Sequence, residues 1–195
     1  MTTDTSLPCS DDSLAEVVNE LRNDDIRGLE ALNELISHHP RDARLHFLRG
    51  SILAGLQRYP EGRSAMLEAV TIAPEFALAR FQLGFLELTS GLADDAARTW
   101  LPFALLDDDA PFRLLSDGLN ALAHNDFSSA KHLITRGVNC NNEHPLINAD
   151  MQLILDEIAD KPAQEVGDLA SEPASAADLL LRQFALRDGN RATRH

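Results

Sequence analysis

Leu and Ala recur at i, i+3 and i+4 spacing through most of the chain, and the apolar positions are interrupted at short intervals by Asn-Asp, Gly and Pro. That periodicity marks amphipathic helices, and the chain has little aromatic material from which strands could be built. The pattern predicts helices over roughly 13–22, 26–38, 43–56, 60–72, 77–90, 93–106, 111–123, 127–138 and 145–159, joined by short turns. The expected fold class is all-α.

The interruptions are themselves periodic. Gly50, Gly84 and Gly118 stand successively 34 residues apart, as do Gly28, Gly62, Ala96 and Ala130, and as do Pro40 and Pro74. Glycine inside a helix costs about 1 kcal/mol relative to alanine, so its return at one phase needs a cause. Close crossing of two antiparallel helices supplies it, because the side chains at a helix contact set the distance between the axes. A small residue repeated on each helix therefore predicts a repeated helix hairpin.

In these residues the chain resembles the tetratricopeptide repeat family, whose 34-residue pattern runs W-x2-L-G-x2-Y, then A-x3-F, then P. The unit 77–110 carries Leu83-Gly84, the turn Gly91 and Ala96-x3-Trp100. The unit 43–76 carries Gly50, Tyr59, Gly62-x3-Met66, Ala69 and Pro74, and the unit 111–144 carries Gly118, Asn125-Asp126-Phe127 and Ala130-x3-Ile134. A degenerate unit over 13–42 shows Asn23-Asp24-Asp25, Gly28-x3-Leu32 and Pro40. The resemblance implies antiparallel helix-hairpin repeats wound as a right-handed α-solenoid over residues 13–159, closed by a capping helix at 145–159. Departures are visible too. His46, Arg80 and Leu114 stand where the family usually has Trp, Arg49 and Asp117 where it has Leu (Leu83 keeps it), and Glu87 where it has Tyr.

The flanks read differently. Residues 1–12 are expected as a disordered leader, 160–173 as an acidic linker and 188–195 as a disordered tail. Between the last two, residues 174–187 open with Ser175-x-x-Asp178 and carry Ala177, Leu180, Leu181 and Phe184 on one stripe. So short an amphipathic helix is marginal alone in water and is expected to dock or to stay largely unfolded.

Charge narrows the partners. With 17 Lys+Arg against 31 Asp+Glu, a net charge of -14, the chain has no basis for counterion-release binding to nucleic acid or for attraction to an anionic membrane. Cys9 and Cys140 lie too far apart in sequence to indicate a disulfide framework or a zinc site, and a cytoplasmic location is expected. No phosphate loop, nucleophile elbow or metal-spaced His or Cys pair occurs, so no metal, no cofactor and no enzymatic activity are expected. His38-His39 reads as a helix end complementing the dipole, Asp107-Asp108-Asp109 as a solvated turn, Trp100 and Tyr59 as packing, and Cys140 as a small apolar filler.

What remains is the set of positions that the resemblance places on the concave, partner-binding face. In the first full repeat these are Arg44, Phe47, Ser51 and Ala54, in the next Leu78, Phe81, Phe85 and Leu88, and in the third Phe112, Leu115, Leu119 and Leu122. The last two rows are wholly apolar, and left bare they would expose several hundred Å2. The function expected is a non-catalytic adaptor, assembly factor or chaperone holding an apolar helical or extended segment of a partner protein. A narrower form resembles the repeat chaperones of type III secretion; alternatives are a scaffold inhibited by its own 174–187 helix, a homodimer, or an accessory subunit of an enzyme. The same stripes also fit ordinary inter-helix packing, with the core-facing side rotated by about one residue. Replacing Phe81 and Phe85 by Asp is expected to abolish partner capture with helical content intact.

Overall fold

The computed structural model describes residues 7–161, and these are all-helical, with no strand among them. The helices are α1 (Asp11–Asn23), α2 (Asp25–His38), α3 (Ala43–Gly55), α4 (Tyr59–Ile72), α5 (Ala77–Thr89), α6 (Ala93–Trp100), α7 (Pro111–Ala123), α8 (Phe127–Cys140) and α9 (Pro145–Glu157). The repeat is visible in their starts: α3, α5, α7 and α9 begin 34 residues apart, and so do α2, α4, α6 and α8. The turns obey the same phase. Gln57, Gly91 and Asn125, again 34 apart, are the described residues with positive φ, at 61°, 78° and 60°. Each reverses the chain between the two helices of a hairpin through the left-handed region.

Helix 93–106 is the prediction the structure shortens. α6 ends at Trp100 and a 3-10 turn, Leu101–Leu105, replaces its last part. Pro102 is the reason: it has no N–H to continue the ladder, and its ring crowds the preceding turn.

The chain divides into two compact units between Leu86 and Glu87, inside α5. In the first unit, Cys9, Val17, Leu21, Leu32, Ile36 and Leu45 form one core cluster, and Ala43, Met66, Ala69, Val70, Ala79, Leu83 and Leu86 form another. The expected close approach is present there. A Cβ on Gly50 of α3 would stand 2.5 Å from Met66 Cγ and 2.9 Å from the Gly62 carbonyl oxygen of α4. In the second unit α7 pairs with α8, and a Cβ on Gly118 would meet Ile134 Cγ1 at 2.7 Å and the Ile134 nitrogen at 3.0 Å. Helix α9 buries Ile147, Met151 and Ile154. The turn before it is fixed by buried Asn141, whose Nδ2 donates to Asn148 Oδ1 at 2.8 Å and to the His144 carbonyl at 3.0 Å.

The departures from the repeat pattern have local causes. His46 Nε2 donates to the Pro40 carbonyl at 2.8 Å, and Arg80 Nη2 donates to the Pro74 carbonyl at 3.0 Å. Both donor and acceptor recur after 34 residues, so the same hydrogen bond to a turn proline carries the repeat. Glu87, 2% exposed, accepts from Thr99 Oγ1 at 2.6 Å, which ties α5 to α6.

Part of the leader is held in place, contrary to expectation. Ser10 caps α1, so that helix starts at Asp11, and Cys9 is 4% exposed within the first core cluster. Asp42 is the clamp. Its Oδ2 accepts from the Cys9 backbone N–H at 3.0 Å and from Arg44 Nη2 at 2.8 Å, its Oδ1 caps α3 through the Arg44 N–H at 3.0 Å, and Arg44 Nη2 also donates to the Cys9 carbonyl at 2.8 Å. Burial pushes the Asp42 carboxyl up, but the bonds from Arg44 and Cys9 outweigh it and hold the group down at about 2 against an ordinary 3.8. A carboxyl with a lowered folded pKa contributes stability above its unfolded pKa and loses it as pH falls toward the folded one. Asp42 is thus expected to contribute about 2 kcal/mol at neutral pH, lost between about pH 5 and pH 2. Urea unfolding of the protein and of Asp42→Asn should show the difference shrinking over that window. Burial, followed by the neighbouring Asp42, also raises the Cys9 thiol, which keeps it protonated and a poor nucleophile. Cys140, expected as an apolar filler, is instead exposed at the end of α8.

Candidate partner-binding surface

Helix α5 is the unusual element. Every residue in it is buried or half-buried, as expected of a helix that is apolar on more than one side. Ala79, Leu83 and Leu86 form one i, i+4, i+7 stripe and join the core cluster of α3 and α4. Phe81, Phe85 and Leu88 form a second stripe, offset from the first by two residues and hence by about 200° around the axis. The second stripe faces away from that cluster. Phe81 and Phe85 stack on each other, with ring centroids 6.3 Å apart and planes at 9°.

The apolar side chains at the positions expected to be concave are covered in the structure. Phe81 (1% exposed), Phe85 (6%), Leu88 (1%), Leu115, Leu119 and Leu122 (0%) are all buried, while Phe47, Leu78 and Phe112 are half-buried. Leu115 packs on α8: its Cδ2 lies 2.6 Å from where a Cβ on Gly137 would be. Phe47 meets Phe76 edge-on at 5.2 Å beside the α3–α4–α5 cluster. Phe112 stacks between Phe103 at 5.6 Å and His144 at 5.3 Å. At these three positions inter-helix and loop packing accounts for the apolar side chain. Of the two polar positions of the first row, Arg44 serves the Asp42 clamp and Ser51 Oγ donates to the Phe47 carbonyl at 3.0 Å.

Burial also changes the Phe81 and Phe85 experiment. Two carboxylates placed at sites 1% and 6% exposed would be buried charges without partners, so helical content would not survive the double Asp substitution. Variants that keep apolar volume are the ones that separate binding from folding.

No family model and no curated protein matches the sequence. Among the described residues, no group of three or more His, Cys, Asp or Glu side chains is placed to hold a metal ion, and no helix is long and apolar enough to cross a membrane. Leu180, Leu181 and Phe184, with the whole 174–187 segment and the 188–195 tail, lie outside the described residues, as does all but the first two residues of the 160–173 linker. The chain leaves α9 with its path fixed, since Lys131 Nζ donates to the Ala159 carbonyl at 2.7 Å and to the Lys161 carbonyl at 2.9 Å.

Proposed function

We propose that this chain is a non-catalytic interaction module of tetratricopeptide-like hairpins, stacked as a right-handed α-solenoid in the cytoplasm, which holds an apolar helical segment of a partner protein. The observation that supports this reading is the second apolar stripe of α5, Phe81, Phe85 and Leu88, on the side opposite the core it shares with α3 and α4. With its first stripe committed to α3 and α4, helix α5 keeps a second apolar side that can serve its own hairpin partner and a bound helix.

The burial of that stripe favours a second, compatible reading. A face already covered in the free chain is available to a partner only by exchange, and the 174–187 sequence has the matching chemistry: Leu180, Leu181 and Phe184 at the spacing of one helical stripe, in a segment too short to be a stable helix alone. In this reading the segment is the resident occupant, and the partner displaces it.

A fluorescein-labelled peptide of residues 174–187 is the probe, titrated by anisotropy into the full chain and into its Leu180→Asp/Phe184→Asp variant. Vacating the face removes the penalty of a competing occupant, so the variant should bind the peptide at least about tenfold more tightly. Equal affinity would overturn self-occupation and leave the docking face; binding to neither protein would overturn both.

A further inference from the structure

The first unit contains a cavity of about 290 Å3 that the proposed docking role does not use. One stripe from each of three helices lines it: Leu29 and Asn33 of α2, Arg49 and Leu53 of α3, and Ser64 of α4, with Arg58 and Glu61 at the start of α4. Two features of this lining point to a ligand. Arg49, half-buried, and Asn33 and Ser64, both exposed at the rim, make no side-chain hydrogen bond or ion pair with any described residue, so three polar side chains border one space with none committed within the protein. Arg58, in contrast, is engaged: its Nε and Nη2 bind Glu61 Oε1 and Oε2 at 2.7 and 2.6 Å. The one uncommitted cation is therefore Arg49, half-buried on α3.

Arg49 is also the residue at which the repeat pattern calls for Leu. The guanidinium instead leaves a cavity with an apolar wall, Leu29 and buried Leu53, and a polar end. Arg49 does not belong to the concave row, which in its repeat consists of Arg44, Phe47, Ser51 and Ala54, so the cavity is a separate feature. A guanidinium prefers a planar anion that accepts two parallel N–H bonds, and Asn33 and Ser64 can donate to the same group. The volume is that of a small ligand rather than of a folded partner.

We infer that this cavity binds a carboxylate carried on a short branched aliphatic body, with Arg49 gripping the carboxylate and Leu29 and Leu53 covering the alkyl group. Such a group occurs as a free short-chain acid or as the end of a peptide finishing in leucine. The site stands independently of the docking face of α5.

The test is 1H–15N NMR of the full chain titrated with 4-methylpentanoate, with its neutral amide as control. The acid should shift the amides of Leu29, Arg49, Leu53 and Ser64 with about millimolar affinity, as its size allows. The amide should not. Arg49→Gln should weaken the acid at least about tenfold, the loss expected when a charged hydrogen-bond partner is removed. Arg49→Leu, which restores the residue usual in the repeat, should remain fully helical by circular dichroism and lose binding as well. N-acetyl-glycyl-leucine separates the two sources: tighter binding than the free acid identifies a chain end, weaker binding the free acid, and either supports the site. Equal binding of acid and amide, wild-type affinity in both Arg49 variants, or no shifts up to about 50 mM acid would overturn it.

Discussion

Truncating Phe81 to Ala is expected to lower the unfolding free energy by about 3–5 kcal/mol. The side chain is 1% exposed, stacks on Phe85 and sits in the middle of a helix with no exposed residue, so the surroundings have little freedom to close over the void. A loss of that size is a large share of the stability of a domain of this class. Phe81→Asp should prevent cooperative folding, because the carboxylate would be buried with nothing to pair it. Phe81→Leu keeps much of the apolar volume and should cost less than half as much as the alanine change. Chemical denaturation with far-UV circular dichroism orders the three variants. A Phe81→Ala protein within about 1 kcal/mol of the parent would show that the stripe is not packed as described.

The second large effect is expected at Gly50. Its Cβ position lies within 3 Å of both a side-chain atom, Met66 Cγ, and a backbone atom, the Gly62 oxygen, so any side chain forces α3 and α4 apart. Met66 is flexible and can swing; the Gly62 carbonyl cannot. Gly50→Val adds two methyls at that crossing and a β-branch unfavourable in helices, and should cost at least about 3 kcal/mol. Gly50→Ala should cost less, since about 1 kcal/mol of helix propensity offsets part of the clash. Gly55 is the internal control: nothing lies within 4 Å of its Cβ, so Gly55→Ala should not destabilise through a clash. Thermal melts of the three variants test the crossing directly.

Much of this architecture was legible in the sequence because its signals are local and repeated. The 34-residue spacing of Gly50, Gly84 and Gly118 pointed to close crossings, which the structure shows at Gly50 and Gly118, and the turn residues Gln57, Gly91 and Asn125 share that phase. Pro102 was in view as well, yet the apolar periodicity of 93–106 masked it, and α6 stops at Trp100. The Asp42 clamp was not legible: its partner Cys9 is 33 residues away, and nothing in either local sequence signals the pairing. The concave rows were legible as apolar stripes but not as surface, because periodicity gives the face of a helix and not what lies against it. Leu115 shows the limit, since its neighbour is Gly137 of the paired helix. Arg49 appeared only as a departure from a pattern, and the cavity it lines needed the positions of three helices.

The central claim, that the Phe81–Phe85–Leu88 stripe of α5 receives an apolar helix, is tested most directly by photo-crosslinking. A 174–187 peptide with benzoyl-phenylalanine at position 184 is irradiated with the full chain carrying Leu180→Asp/Phe184→Asp, and the adducts are mapped by mass spectrometry. Adducts on α5 between Phe81 and Leu88 are the predicted result, competed away by unlabelled peptide. Adducts confined to the exposed leucines Leu101, Leu105 and Leu106, or none that the unlabelled peptide competes, would contradict it.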